Sequence, residues 1–429
     1  MKNKFIKTTI TLIIGGFITK ILSMIIKIIM TRSISTEVLG LYMMIMPTLT
    51  LVISLSQFGL PTALSKLIAE DDTNSKKLLF TILPLLIITN ITLMIIIFLM
   101  APVLSEKLLK NKDLYLGIIS IALVIPFTSI SAIIRSYFFG KSRALPHILA
   151  NIVDCLIRLM LFTHYLPMIS YKSNSYVIAF LILSNVISEV ASILVMMLFL
   201  PKNINFKKKD LVPKYDYLKS SLSISLPNTA SRLVGSVGFF LEPIILTSTL
   251  QYVGYTTTYI TYNYGVISGY VIPLIMMPSF FTIAISQALL PAISNEYAKN
   301  NIKSVKRKIK LAVFLSLIIG FIATFCFISI PKMLLRLIYH TTSGVTYVRI
   351  LAPIFFIQYI QAPLSASLDA MGKSMDNMQI SFISTLIRTS SLYILSLLEI
   401  GFWSLIISIT LNIFVTMFLT YKKINNYLK

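Results

Sequence analysis

The chain is organised as long apolar runs separated by short polar segments. A helix rises about 1.5 Å per residue, so about 20 apolar residues cross the roughly 30 Å of hydrocarbon in a bilayer. Twelve runs reach this length, and each predicts one membrane span: 8–30, 38–62, 78–103, 114–139, 146–169, 176–200, 221–249, 259–289, 311–330, 346–370, 378–398 and 402–421. Because an open chain in lipid satisfies its backbone groups only as helix, the pattern predicts an all-α, polytopic membrane protein.

Prolines inside these runs predict local deviations from straight helices. Each proline removes a backbone donor, and neighbouring groups or water must then satisfy the freed carbonyl. Pro273 and Pro278 lie close together in the unusually long run 259–289. We therefore expect this span to be bent.

The composition excludes the soluble class that 429 residues would otherwise suggest. Hydrophobic residues make up 56% of the chain and charged residues 12%, whereas a soluble chain carries about 25% charged residues. The two cysteines, Cys155 and Cys326, both lie in apolar runs, and the three histidines are scattered along the chain. Neither residue type forms a spacing typical of a disulfide framework or a metal site, so we expect no metal.

The net charge of +23 reflects 38 Lys and Arg against 15 Asp and Glu. If the N-terminus is cytoplasmic, the twelve runs put twenty-four loop cations on the cytoplasmic side and seven on the other. Positive charge concentrates in cytoplasmic loops. We therefore expect a multi-pass protein of the cell membrane with both termini in the cytoplasm. The same asymmetry explains the basic composition without a nucleic-acid partner.

Two short motifs recur at nearly the same offset. Residues 56–61 and 286–291 share Ser-Gln followed by Leu-Pro, 230 positions apart, and Gly-Lys-Ser recurs at 140–142 and 372–374. The offset contains six runs, an even number, so both halves would cross the membrane in the same direction. This predicts two six-helix lobes related by a pseudo-twofold axis along the membrane normal, as in parallel-repeat transporters.

The domain boundaries follow from this duplication. The longest interior segment without apolar periodicity is polar and basic. We expect an N-terminal lobe at 1–200, a cytoplasmic linker at 201–217 and a C-terminal lobe at 218–429. Two lobes around a central cavity would suit alternating access.

Ionisable residues inside spans are costly and usually face a cavity or a partner. Asp154 and Arg158 are spaced i,i+4 and can pair on one helix face, as a structural pair or as a functional one. Arg135 lies near a span end, where its side chain can reach the interface. Glu189 has no partner nearby in sequence, so it would pair with Arg158 or Arg388 or take part in ion coupling.

Lys20 and Lys27 stand seven residues apart, about two helical turns, and share one helix face. Arg232 has a similar mid-span position in the seventh run, the counterpart of the first. We expect these three cations to line a cationic cavity between the lobes and to bind an anionic substrate, since Lys and Arg bind phosphate well. In the alternative, three acids neutralise them: Asp154, Glu189 and Glu242.

Several segments resemble the stage V sporulation protein B family of polysaccharide exporters. The N-terminal half contributes Phe-Ile-Thr-Lys-Ile-Leu at 17–22, Leu-Gly-Leu-Tyr at 39–42, Gly-Leu-Pro at 59–61 and Ser-Lys-Leu-Ile-Ala-Glu at 65–70. The C-terminal half contributes Leu-Pro-Ala-Ile-Ser at 290–294 and Arg-Ile-Leu-Ala-Pro at 349–353. The chain is thus similar to the multidrug/oligosaccharidyl-lipid/polysaccharide (MOP) exporter superfamily, in the branch near the lipid II flippases.

This resemblance implies a V-shaped pair of six-helix lobes. It also implies movement of an undecaprenyl-diphosphate-linked sugar, often a peptidoglycan precursor, from the inner to the outer leaflet by alternating access. Basic residues of the first span face the central cavity in that branch, and Lys20 and Lys27 stand at such positions. One departure is that close relatives usually carry two further C-terminal spans, which form a groove for the lipid tail.

Two other functions differ from this one in the sequence features that they require. A cation-coupled exporter of the multidrug type is the alternative within the superfamily. A membrane-embedded enzyme is disfavoured because the predicted outer loops are short and carry no cluster of acids or histidines. We expect no enzymatic activity, no cofactor and no nucleic-acid partner. We also expect a monomer surrounded by membrane lipids, with cell-wall synthesis enzymes as candidate protein partners.

Overall fold

The computed structural model describes residues 2–70, 75–200 and 215–428. Every regular element in these ranges is a helix, which confirms the all-α prediction. Short π- or 3-10 helices occur in these ranges at Val103–Leu108, Lys112–Leu114 and Gly265–Val271, and the remaining seventeen are α-helices. The first eight α-helices are α1 (Lys2–Ser33), α2 (Thr36–Gln57), α3 (Leu60–Glu70), α4 (Ser75–Pro102), α5 (Tyr115–Gly140), α6 (Leu145–His164), α7 (Leu166–Ile169) and α8 (Asn174–Leu198). The other nine are α9 (Tyr215–Tyr252), α10 (Thr257–Tyr264), α11 (Ile272–Met276), α12 (Ser279–Ala298), α13 (Ile302–Ser329), α14 (Pro331–Tyr339), α15 (Val345–Ala370), α16 (Ser374–Ser396) and α17 (Trp403–Tyr427).

Within the described ranges, ten helices are long and apolar enough to cross a membrane, or eleven if one bent pair counts as a single span. These segments correspond to eleven of the twelve predicted spans. The twelfth, 378–398, coincides with α16, which is helical but does not reach the same hydropathy. Its sequence is rich in Ser and Thr and contains Arg388. The twelve spans predicted from apolar runs therefore exceed by one the eleven described segments that meet the length and hydropathy limits.

The bend expected near Pro273 and Pro278 is present. The segments Thr257–Met276 and Ser279–Ala298 meet at an angle of 48°. Pro273 lies in α11, and Pro278 directly precedes α12. Neither proline offers a backbone N–H to a helical hydrogen bond, so the chain changes direction at this break.

A second interruption separates α2 from α3. Phe58 and Gly59 both have positive φ values, 48° and 61°. A Cβ atom on Gly59 would lie 2.5 Å from the carbonyl oxygen of Ser225 and 2.8 Å from the hydroxyl of Thr229. Glycine is therefore required here both by the backbone conformation and by the close approach of α9.

The described chain divides into two compact units, residues 1–236 and 237–429. The division falls inside α9, whereas the predicted lobes meet at a linker. Residues 201–214 of that linker lie outside the described ranges, and α9 begins at Tyr215.

In the first unit, α5 is the central helix. It packs against α2, α3, α4 and α8, while α6 packs against α8 and α1. Polar side chains join three of these helices, because the Ser129 hydroxyl lies 3.0 Å from Asn90 Oδ1 and 3.1 Å from Ser56 Oγ. Such hydrogen bonds link helices where lipid removes the hydrophobic driving force.

In the second unit, α15 has the corresponding position. It packs against α12, α13 and α17, and α16 packs against α17. Helices α9 and α16 are also in contact, because a Cβ atom on Gly238 of α9 would lie 2.1 Å from the Thr385 side chain of α16. Counted along each half, the same pairs of membrane helices are therefore neighbours in both units, which is the pattern that a duplication produces.

Candidate functional site

Helix α1 carries two of the three predicted substrate-binding cations. One face of α1 packs against α6, because a Cβ on Gly15 would lie 2.3 Å from Ile148 and Ser23 Oγ lies 3.8 Å from Cys155 Sγ. At 3.6 residues per turn, Lys20 and Lys27 project about a quarter-turn away from this face. Lys20 is exposed and Lys27 is half-buried.

Arg232, the third predicted cation, lies on α9 and is exposed. Within residues 2–70, 75–200 and 215–428, the ion pairs of the structure include none that involves Lys20, Lys27 or Arg232. The acids proposed as their partners, Asp154, Glu189 and Glu242, all bind arginines instead.

Glu189 on α8 binds Arg135 of α5. Arg135 Nη2 donates to Glu189 Oε2 at 2.9 Å and to Oε1 at 3.2 Å, and it lies 3.4 Å from Ser192 Oγ. Both side chains are largely buried, with 24% and 14% exposure. The prediction that Glu189 pairs with Arg158 or Arg388 is therefore wrong. The prediction that the Arg135 side chain reaches the membrane interface is also wrong, because its guanidinium extends from α5 to the carboxylate on α8.

Asp154 and Arg158 form the ion pair that their spacing on α6 predicts. Arg158 Nη2 lies 3.1 Å from Asp154 Oδ1 and 3.3 Å from Oδ2. The same nitrogen lies 3.1 Å from Ser188 Oγ of α8. Ser188 directly precedes Glu189, so the two arginine–carboxylate pairs meet adjacent residues of one helix.

The second unit contains a similar pair, between Glu242 of α9 and Arg388 of α16. Arg388 Nη2 donates to Glu242 Oε2, and the guanidinium lies 5.3 Å from the ring centroid of Phe239. The Tyr264 hydroxyl donates to Glu242 Oε1 at 3.1 Å. Glu242 is only 4% exposed, and its two oxygens are both satisfied, as a buried carboxylate requires.

These contacts decide between the two sequence-based alternatives for the acids. Each of the three acids is neutralised by an arginine of its own unit, and those arginines are Arg135, Arg158 and Arg388. The sequence identified the acids but not two of the partners, because pairing across helices depends on packing. One signal was available: Arg158 and Arg388 are 230 residues apart, the offset of the duplicated motifs.

Solved structures share this fold over nearly the whole chain. A multidrug resistance MATE family transporter of the MOP superfamily, in an inward-facing conformation, superposes with a TM-score of 0.75 at 15% identity, covering 95% of each chain. A MOP superfamily transporter from Pyrococcus furiosus, whose binding pocket is described as having reversed polarity, superposes with a TM-score of 0.59 at 14% identity, covering 100% of this chain and 97% of the other.

Sequence comparison identifies nearer relatives. Stage V sporulation protein B of Bacillus subtilis (strain 168) is 31% identical over 410 residues, covering 92% of this chain and 78% of that protein. Sporulation protein YkvU of the same organism is 25% identical, covering 92% and 89%. Its lipid II flippase MurJ is 22% identical over 351 residues, covering 72% of this chain and 61% of that protein.

The helical fold and the intramembrane charges, together with these similarities, define a polytopic membrane protein of the MOP exporter superfamily. The family model of polysaccharide biosynthesis proteins matches residues 5–297, and the MatE model matches residues 243–394. The chain belongs to the polysaccharide biosynthesis protein family. The resemblance drawn from the sequence motifs is thereby confirmed.

Proposed function

We propose that this protein is a flippase for an undecaprenyl-diphosphate-linked sugar or peptidoglycan precursor. It would move the substrate from the inner to the outer leaflet of the cell membrane by alternating access. Among the relatives, only the lipid II flippase carries a substrate in its name. One observation in the molecule supports the substrate class: Asp154, Glu189 and Glu242 are neutralised by arginines, and Lys20, Lys27 and Arg232 have no carboxylate partner among the described residues.

The unpaired cations have a clear chemical use in this proposal. A buried or membrane-embedded cation without a counter-ion is costly, so it is expected to face water or to bind an anion. A diphosphate offers several charged oxygens. The ammonium groups of Lys20 and Lys27 would bind them as point charges, and the guanidinium of Arg232 would bind as a two-pronged donor.

The arginine–carboxylate pairs would serve a different purpose. Asp154–Arg158, Arg135–Glu189 and Glu242–Arg388 satisfy charge within one unit, and we assign the two pairs between helices, Arg135–Glu189 and Glu242–Arg388, to holding those helices together. Because their carboxylates already bind guanidinium groups, ion coupling through these acids would require the pairs to open.

Reconstitution tests the substrate class. The purified protein is placed in liposomes containing a fluorescent undecaprenyl-diphosphate sugar, and the exposed fraction is measured with a membrane-impermeant quencher. We expect the protein to flip the diphosphate-linked sugar but not a zwitterionic phospholipid with the same fluorophore. Equal movement of both lipids, or of neither, would contradict the proposal.

A second candidate function is export of small cations of the multidrug type. The match of residues 243–394 to the MatE family model favours it. The same liposomes loaded with a cationic dye distinguish the two functions. Dye export without movement of the lipid-linked sugar would establish the second candidate instead.

A further inference from the structure

Helix α13 presents four cations on one exposed face at its start. Lys303, Lys306, Arg307 and Lys310 are all exposed. Their spacing of i, i+3, i+4 and i+7 brings them to a single side of the helix. We refer to these four residues as the basic stripe.

The same face of α13 becomes apolar immediately beyond the basic stripe. Large exposed side chains continue along it at helical spacing: Leu311, Phe314, Ile318, Phe321, Ile322 and Phe325. The opposite face is buried in the second unit: Val305, Ile309, Ala312, Ser316 and Ala323. An exposed apolar face on a membrane-spanning helix meets lipid tails. The basic stripe therefore continues the lipid-facing side of the helix rather than lining the interior of the unit.

The basic stripe is slightly longer than a headgroup layer is thick. Lys303 and Lys310 are seven residues apart, which corresponds to about 10 Å along the helix axis. The hydrocarbon core is about 30 Å thick and the whole bilayer about 40–45 Å, leaving roughly 5–8 Å of headgroups on each side. Because Leu311 begins the apolar part of this face, we expect the cations nearest to it to lie among the headgroups and Lys303 to lie at their outer edge.

Side-chain contacts cap the start of α13, and the nearby carboxylate of Glu296 already binds a lysine outside the basic stripe. The Asn301 side chain accepts the N–H of Ser304 at 3.2 Å and so caps the helix. Lys308, which is not in the basic stripe, donates to Glu296 at 3.3 Å and to the carbonyl of Ala292 at 3.1 Å. Within the part of the chain that the structure describes, no carboxylate forms an ion pair with any of the four stripe residues.

We propose that the basic stripe is a binding site for anionic phospholipid headgroups in the leaflet where α13 begins. The site is separate from the proposed substrate cations and does not depend on the proposed function. Loop charge that only sets membrane orientation needs no helical periodicity. Here the charges are aligned on the lipid-facing side and directly adjoin its apolar part. Each cation close to an anionic surface is expected to favour the anionic lipid about fivefold.

The experiment measures lipid selectivity around the full-length protein. Wild type is reconstituted in phosphatidylcholine membranes containing phosphatidylglycerol, and the relative association of spin-labelled phosphatidylglycerol and phosphatidylcholine is determined by electron paramagnetic resonance. The test variant K303Q/K306Q/R307Q/K310Q removes the stripe. The control variant K107Q/K110Q/K112Q/K332Q removes four exposed lysines that do not share one helix face.

We expect the test variant to lose selectivity for phosphatidylglycerol more than tenfold and the control variant to lose less than threefold. In wild type, 1 M salt should weaken the selectivity in the same direction, because it shortens the screening length to about 3 Å. If the test variant does not fold, R307Q alone and the salt titration of wild type provide the readout. Unchanged selectivity, or equal losses in the two variants, would overturn the proposal.

Discussion

Arg158 and Arg388 stand at corresponding places in the two units, and each is paired with a carboxylate. They are 230 residues apart, each on the fifth membrane helix of its half, and each guanidinium binds a carboxylate of its own unit. The carboxylates differ: Asp154 lies one turn earlier on the same helix, whereas Glu242 belongs to α9. The two positions thus share the arginine and differ in the source of its counter-charge.

The first prediction concerns the pair in the second unit. Arg388→Gln leaves Glu242 buried without its counter-ion, and breaking one side of a buried pair costs about 3–5 kcal/mol. We expect a clear fall in the thermal unfolding temperature of the detergent-solubilised protein. The double variant E242Q/R388Q should recover most of the loss, because no uncompensated charge remains.

The exposed pair of Lys66 and Glu70 is the control for this measurement. Its atoms are 3.9 Å apart and both side chains are more than half exposed. Lys66→Gln should cost about 0–1 kcal/mol. If Arg388→Gln were no more destabilising than Lys66→Gln, the buried pair would not hold α16 to α9.

The second prediction concerns the proposed substrate cations. Lys20→Ala and Lys27→Ala should each reduce flipping of the diphosphate-linked sugar at least tenfold with normal protein yield, because each removes a positive charge from the proposed phosphate site. Lys20→Arg should retain part of the activity, since it keeps the charge. The measurement is the quencher assay in liposomes.

Lys107→Ala serves as its control, because this exposed lysine lies outside the helices that carry the proposed site. It should flip the substrate at the wild-type rate. Normal transport by Lys20→Ala would remove the principal residue of the site.

The third prediction concerns glycine. Gly59→Ala introduces a side chain at φ 61° and 2.5 Å from a backbone oxygen, and such strain costs roughly 1–3 kcal/mol. Gly16→Ala on α1 meets nothing within 4 Å and should be neutral or slightly stabilising, because alanine favours helix. Thermal unfolding of the two variants compares them directly, and equal stability would show that α9 does not approach Gly59 closely.

The fourth prediction concerns orientation. In a variant lacking Cys155 and Cys326, a cysteine at Ser173 should react with an impermeant maleimide added outside intact cells. A cysteine at Lys299 should react only after the membrane is opened. We expect this pattern because the loops on the side of the N-terminus carry the excess of Lys and Arg. Loops with such an excess are cytoplasmic. The reverse labelling pattern would invert the predicted topology.

The fifth prediction concerns the driving force. A diphosphate carries roughly two negative charges, so an inside-negative potential of 100 mV would favour outward movement by about 5 kcal/mol. We expect directional flipping in vesicles with an imposed potential and no proton or sodium gradient. If an ion gradient were required and the potential had no effect, opening of an arginine–carboxylate pair would become the coupling step.

Apolar run length alone predicted nearly all of the membrane helices. The exception is α16. Its polar side chains form hydrogen bonds with its own backbone, as Ser381 and Thr389 do. Its Arg388 is neutralised by Glu242. A hydropathy sum counts these groups as unsatisfied. The tertiary structure supplies their partners, so composition underestimates how well such a helix fits among its neighbours.

The sequence by itself determined the helical class, the bend at Pro273 and Pro278, and the family, because each depends on local chemistry or on short contiguous motifs. It also located every ionisable residue within the spans. Only the tertiary structure decided which charges neutralise one another across helices. Glu189 binds Arg135 rather than Arg158, because side chains of α5 and α8 meet at a depth that sequence separation does not encode. That pairing leaves Lys20 and Lys27 without a carboxylate partner among the described residues.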